Sequence, residues 1–173
     1  MNPINDLVEK DPWRIVQQGF SDENNRKYES LMSIGNGHMG QRATFEEDFS
    51  GSTHSGSYMA GIYYPDKTRV GWWKNGYPEY FAKVINATNW IGISLKFNGE
   101  KLDLASAEVS DFERVLDMRS GILSRSFSAK LKNGVRVQVV TKRYCSMAQR
   151  EVEWLSTSAP CWREKESSIS SHF

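Results

Sequence analysis

The sequence predicts a mainly β chain, an antiparallel β-sandwich with long loops. Three observations carry this. Ile91, Ile93, Leu95 and Phe97 alternate with Trp90, Gly92, Ser94 and Lys96, a period of two that marks a half-buried strand. Val135, Val137, Val139 and Thr141 repeat the pattern on a second segment. Each run adjoins an Asn-Gly pair, Asn98-Gly99 and Asn133-Gly134, the strongest short-range mark of a hairpin. No segment of about twelve residues or more keeps a clear helical period, which argues against βαβ architectures.

Taken in order, Asp11 to Glu29 reads as an irregular lead-in with one helical turn, since Pro12 forces Asp11 toward extended geometry. Two short strands are expected around Gly35-Asn36-Gly37, one on each side between Glu29 and Phe45. The glycines supply the positive φ that a Cβ would resist. Ser57 to Tyr64 is read as a strand that stops at the turn opener Pro65-Asp66. Lys67 to Tyr80 is loop chemistry carrying large aromatics. The strand 90–97 turns at Asn98-Gly99 and returns from Lys101 to Leu104. Ala105 to Met118 fits either a helix or an extended strand through Val109, Phe112, Val115 and Leu116. Ile122 to Lys132 and Val135 to Tyr144 form the second hairpin. The first 150 residues thus read as one domain. Residues 151–173 hold six Ser with Pro160 and two Trp and show no alternation. They are expected to be a loosely attached, poorly ordered tail and a poor closing strand.

Composition narrows the function classes. A chain of 173 residues has room for one domain. Its formal net charge of +1 gives no electrostatic reason to bind nucleic acid or an anionic membrane. No run approaches the roughly 18 to 20 apolar residues of a membrane span, and the first ten residues lack a basic start followed by an apolar run, so no secretory signal is expected. Cys145 and Cys161 alone make neither a disulfide framework nor a zinc site, and a cytoplasmic location is the expectation.

Candidate chemistry is sparse. Glu46, Glu47 and Asp48 read as a solvated acidic turn. Asp111 and Glu113, two apart, would share a strand face, but nothing supplies an apolar pocket to raise either pKa. His38 reads as structural, His54 beside Thr53 and Ser55 is not triad geometry, and His172 carries no signal. Gly35-Asn36-Gly37-His38-Met39-Gly40 lacks the Lys-Ser/Thr of a phosphate loop. No catalytic residue, metal site or cofactor is therefore assigned. The informative segment is the aromatic loop: Trp72, Trp73, Tyr77 and Tyr80 with Lys74, Asn75 and Glu79 combine flat apolar faces with hydroxyl-binding groups. That composition suits a sugar; the alternatives are a protein interface, which aromatics also dominate, and an internal core.

Four blocks carry a family resemblance: Asp11-Pro12-Trp13; Glu29 to Arg42, with Ser33-Ile-Gly-Asn-Gly37 followed by Gly40-Gln-Arg42; Gly56 to Tyr64; and Lys67 to Tyr80. They resemble the N-terminal domain of glycoside hydrolase family 65, the maltose, trehalose and kojibiose phosphorylases, and Lys67 to Tyr80 looks most like the maltose phosphorylases. The resemblance runs from Asp11 to about Arg150. It implies an incomplete super-β-sandwich of the galactose-mutarotase-like kind, placed ahead of an α/α barrel that holds the catalytic glutamate, the phosphate site and most of the sugar site. None of that barrel is expected in this chain, which reads as truncated before it and inactive alone. The unmatched tail would then reflect a truncated gene or a shifted frame. The implied partners are an α-glucoside disaccharide and the missing barrel or a second subunit, with inorganic phosphate as co-substrate. The rival readings are one piece of a split phosphorylase and a free-standing carbohydrate-binding module.

Overall fold

The computed structural model describes residues 8–69 and 78–163. Along the chain come β1 (Val8–Lys10), β2 (Arg14–Gln18), α1 (Asp22–Leu31), β3 (Ile34–Gly35), β4 (Met39–Gln41), β5 (Ser57–Met59), β6 (Tyr63–Lys67) and β7 (Tyr80–Val84). Then follow β8 (Lys96–Phe97), β9 (Glu100–Lys101), β10 (Glu108–Asp117), β11 (Ile122–Lys130), β12 (Val135–Cys145), β13 (Glu153–Ser158) and β14 (Cys161–Arg163).

The expected antiparallel β fold is present. Its main layer is a seven-stranded sheet of order β1-β2-β10-β11-β12-β13, with β14 also on β12. Alternation decides its faces. Leu123, Arg125, Phe127 and Ala129 of β11 and Val135, Val137, Val139, Thr141 and Arg143 of β12 are buried, while the residues between them are half-buried or exposed. Over the buried face lie α1, the small sheet β3-β4-β5 and the β8-β9 hairpin. One apolar cluster joins Phe45, Leu102, Leu104, Phe112 and Phe127 to the β12 valines, and a second joins Tyr28 and Met32 to Ile34, Ala43, Leu116 and Leu123.

Both Asn-Gly turns form, with different geometry. Asn98 (φ 51) and Gly99 (φ 84) are both left-handed, as a two-residue type I′ hairpin requires. At the other, only Gly134 (φ 78) is left-handed. Leu131 N–H reaches the Val135 carbonyl at 2.9 Å and Gly134 N–H the Leu131 carbonyl at 3.0 Å, a three-residue loop ending on the glycine.

The structure corrects several expectations. Residues 153–163 are not a loose tail. β13 pairs with Val140–Cys145 and β14 with Val135–Val137 along one edge of β12, and between them the Pro160 carbonyl accepts Gln138 N–H at 3.0 Å. Glu153, Leu155 and Thr157 are half-buried while Trp154, Ser156 and Ser158 are exposed, so the period of two was present but written in Ser and Thr. Residues 164–173 lie outside the described residues.

The lead-in holds a ten-residue helix instead of one turn. Ser21 caps it, its Oγ accepting Asn24 N–H at 3.3 Å, and Asp22 and Glu23 suit the positive end of the helix dipole. This helix takes up Glu29 to Leu31, leaving only Ile34–Gly35 as the strand before the glycine turn. Ala105 to Met118 contributes the strand β10. Segment 90–97 is mostly irregular, with a short strand at Lys96–Phe97 and a bridge from Glu47 to Ile93. Its alternation still places Ile91 in the interior and Leu95 and Phe97 against the main core. Pro65 lies inside β6, opposite Ala82; a two-stranded ribbon offers the edge position that proline tolerates.

Candidate functional site

Two features of the molecule bear on function: a buried charge network under the sheet and an exposed ribbon beside it. The network starts from the irregular segment 43–47, every residue of which is buried. Because this segment is not a regular strand, consecutive side chains Glu46 and Glu47 both turn inward. Arg125 Nη1 donates to Glu47 Oε1 at 2.5 Å, Nη2 donates to Glu47 Oε2, and Nη2 also reaches Glu46 Oε2 at 2.6 Å. Arg143 Nη1 stands 3.2 Å from Glu46 Oε1, at ion-pair distance without hydrogen-bond alignment, while its Nη2 donates to the Arg42 carbonyl at 2.8 Å. Arg114 donates to the Ala43 carbonyl at 2.9 Å and to Asn25 Oδ1 at 2.8 Å. Its guanidinium and that of Arg125 lie 4.7 and 4.5 Å from the Phe45 ring centroid.

The expectation of a solvated acidic turn at 46–48 is thereby corrected for Glu46 and Glu47; half-buried Asp48 pairs with Lys101 at 2.8 Å. The missed signal lay on the strands. Arg114 sits between Phe112 and Leu116, Arg125 between Leu123 and Phe127, and Arg143 follows Val139 and Thr141, all at inward positions of the alternation. Buried cations demand anionic partners. Burial raises the Glu46 carboxyl pKa, but Arg125 and Arg143 outweigh it and hold the group below its ordinary range. Burial and the neighbouring Arg125 push Arg114 down to about 9. Glu46 and Glu47 of the network border a cleft of about 400 Å³ that Thr53, Ser55, Asn89 and Ser94 also line. A general acid needs a pKa near the working pH, and a carboxylate held ionised by arginine is the wrong group for that work.

Other candidates resolve individually. Asn36 fills its own glycine turn: Oδ1 accepts His38 N–H at 3.0 Å and Met39 N–H at 2.9 Å, taking the amides that an anion would need. Its Nδ2 donates to the carbonyls of Ser146 at 2.7 Å and Arg150 at 3.0 Å, fastening the turn to the loop after β12. His38 hands its carbonyl to Ala60 N–H at 2.7 Å. His54 is exposed, its Nδ1 3.4 Å from Arg26. Asp111 and Glu113 are parted by a β-bulge between Ser110 and Glu113, where Asp111 takes φ 53. Glu113 accepts from Gln18 Nε2 at 2.6 Å. Among the described residues there is no cluster of three His, Cys, Asp or Glu placed to hold a metal, and no helix long and apolar enough to cross a membrane.

Of the aromatic loop, Trp72, Trp73, Lys74, Asn75 and Tyr77 lie outside the described residues. Glu79 and Tyr80 are both exposed. The Glu79 carbonyl accepts Thr68 N–H at 2.8 Å, closing the loop base, and Tyr80 opens β7. Strands β6 and β7 form a separate two-stranded sheet. Its register sets Tyr63 opposite Val84, Pro65 opposite Ala82 and Lys67 opposite Tyr80 on one face, with Tyr64 opposite Lys83 and Asp66 opposite Phe81 on the other. Tyr63, Tyr80 and Val84 are exposed on the first face and Tyr64 and Phe81 on the second, so both faces of the ribbon are open. The ion pair Lys83–Asp66 marks the second face.

Comparison with known proteins places these features. Residues 15–165 match glycosyl hydrolase family 65, N-terminal domain. The chain is 48% identical over 155 residues to maltose phosphorylase of Bacillus subtilis (strain 168), covering 90% of this chain and 20% of that protein. It is 37% identical over 130 residues to kojibiose phosphorylase of Thermoanaerobacter brockii, covering 75% of this chain and 15% of that protein. A solved structure described as a kojibiose phosphorylase from human microbiome superposes with a TM-score of 0.78 at 31% identity, over 90% of this chain and 20% of that one. The chain thus spans about one fifth of the length of the first and third of these relatives. The matched residues extend through β13 and β14, beyond the limit at Arg150 suggested by the sequence.

Proposed function

Since the chain belongs to glycosyl hydrolase family 65 as its N-terminal domain, we propose that it is the non-catalytic β-sandwich portion of a disaccharide phosphorylase and seats the catalytic portion. The parent reaction is the cleavage of an α-glucoside of the maltose type by inorganic phosphate, without an organic cofactor, in the cytoplasm. The chain by itself turns over no sugar.

One observation carries the docking role. A lone two-stranded ribbon is marginally stable in water, yet β6 and β7 pack chiefly against each other and leave Tyr63, Val84 and Tyr80 open on one face and Tyr64 and Phe81 open on the other. Exposed large side chains gathered on one ribbon are the pattern of a surface that meets a partner. The relatives' remaining length supplies that partner. The buried network supports the same reading, because Glu46 and Glu47 are committed to arginines.

The test is complementation. The chain is mixed with a maltose phosphorylase lacking its N-terminal region, and glucose 1-phosphate release from maltose and phosphate is measured. Release only when both parts are present is expected. Release by the chain alone would refute the reading.

A further inference from the structure

The outer face of the main sheet carries a cross-strand row that the docking reading does not use. Glu108 pairs with Lys130, Lys130 with Arg136, and Arg136 with Trp162, so these four side chains share one face across β10, β11, β12 and β14. Ser110 and Ser128 form the next row. Here β10 bulges, and Asp111 takes the left-handed φ of 53. Bulges of this kind re-aim a side chain, and a left-handed non-glycine residue marks a place held against its preference. Asp111, Trp162 and the charged row together line a recess of about 260 Å³. The Trp162 side chain is 45% exposed there.

Among the described residues that line the recess, the charges balance. Two carboxylates, Glu108 and Asp111, face two cations, Lys130 and Arg136, and Lys130 Nζ lies 3.6 Å from Glu108. A phosphate or carboxylate ligand would meet two like charges, and a purely apolar ligand would leave polar groups uncompensated. A neutral polyhydroxylated ring meets neither obstacle. Its C–H face covers an indole, and planar carboxylate and guanidinium groups take adjacent hydroxyls pairwise. Small sites combine apolar walls with a few convergent polar groups in this way.

We infer that this recess binds a neutral pyranose, one hexose unit stacked on Trp162 with its hydroxyls held by Asp111, Glu108 and Arg136. The site is separate from the β6–β7 ribbon and does not rest on the docking reading. It gives the sheet a sugar contact of its own, apart from the aromatic loop.

The test uses the full chain labelled with ¹⁵N and titrated with glucose, maltose and glucose 1-phosphate. The Trp162 indole cross-peak is assigned by its loss in Trp162→Phe. A saturable shift of that peak by glucose or maltose is expected, with a Kd on the order of 1 mM, while the Trp13 and Trp154 indole peaks stay in place. Asp111→Gly removes the carboxylate and suits the left-handed backbone, so it keeps the fold; it should weaken the response at least about fivefold, a loss of roughly one hydrogen bond. Absence of any Trp162 shift at about 100 mM sugar, well above that Kd, would overturn the site. So would equal shifts of all three indoles, or tighter binding of glucose 1-phosphate than of glucose. Because the ribbon takes no part, a failed titration leaves the complementation result unaffected.

Discussion

Arg125 and Glu47 meet in a two-armed ion pair almost without water, their side chains 3% and 1% exposed. The pair joins β11 to the irregular segment 43–47, residues 78 apart in sequence. Removing one partner strands a buried charge, which costs about 3 to 5 kcal/mol. Arg125→Met is therefore expected to lower the unfolding free energy of the chain by that amount in urea titration. Arg125→Lys should recover little, since an ammonium cannot bridge both oxygens of Glu47 and reach Glu46 as well. A loss under about 1 kcal/mol, the size of a surface pair, would show that the network does not hold the segment.

The same network sets an acid limit. Burial acts to raise the Glu46 carboxyl, and Arg125 and Arg143 hold it below its ordinary value of 4.5. A carboxyl depressed in the folded state contributes stability that is present above its unfolded pKa and lost as pH falls through the folded pKa. Stability should thus be flat between about pH 6 and 8 and decline below about 4.5. Glu46→Gln, measured by thermal unfolding across that range, should be less stable at neutral pH and show a shallower acid decline. An acid slope equal to that of the parent chain would remove Glu46 from the account.

Asn36 ties the glycine turn to a loop more than a hundred residues away, through Ser146 and Arg150. Asn36→Asp keeps the acceptor for His38 N–H and Met39 N–H but loses both donated bonds, and sets a carboxylate against two carbonyl oxygens. The expected cost is about 1 to 3 kcal/mol. Faster hydrogen exchange at 146–152, with the amides of His38 and Met39 still protected, would identify the broken fastening. Unchanged exchange at 146–152 would contradict it.

How much of this was legible depends on how each element writes its pattern. The hairpin β11–β12 was plain because its inward positions are Phe and Val and its turn is Asn-Gly. Helix α1 was hidden, for its buried residues Asn25, Tyr28 and Glu29 include two polar ones, so no apolar stripe exists. β13 was hidden because Ser and Thr occupy alternate positions on a partly exposed edge. Glu46 and Glu47 were misread because adjacent acids usually face water, and only the three-dimensional approach of Arg125 and Arg143 turns them inward. The ribbon was half legible: its aromatics stood out, but Pro65 concealed the strand, and only the register separates the face of Tyr63 and Val84 from the face that carries the Lys83–Asp66 pair.

That register makes the docking reading specific. Tyr63 and Val84 are partners on one face, while the Lys83–Asp66 pair lies on the other beside exposed Tyr64 and Phe81. If the face of Tyr63 and Val84 meets the catalytic portion of a phosphorylase, the paired change Tyr63→Ser with Val84→Ser removes two apolar anchors, each worth about 1.5 to 3 kcal/mol when fully buried. Binding of the catalytic portion should then weaken by at least about a hundredfold, near the low end of that sum. The free chain should unfold within about 0.5 kcal/mol of the parent, because exposed side chains away from the core carry little stability. Lys83→Ser breaks only an exposed ion pair on the opposite face and should leave both quantities nearly unchanged. Calorimetric titration with the separated catalytic portion, together with glucose 1-phosphate release from maltose, reads the first effect, and urea unfolding reads the second. If the paired change lowers stability as much as it lowers binding, the ribbon is part of the domain's own core. If Lys83→Ser weakens binding more than the paired change does, the partner sits on the face of Tyr64, Phe81 and Lys83, and the face of Tyr63 and Val84 is not the docking surface.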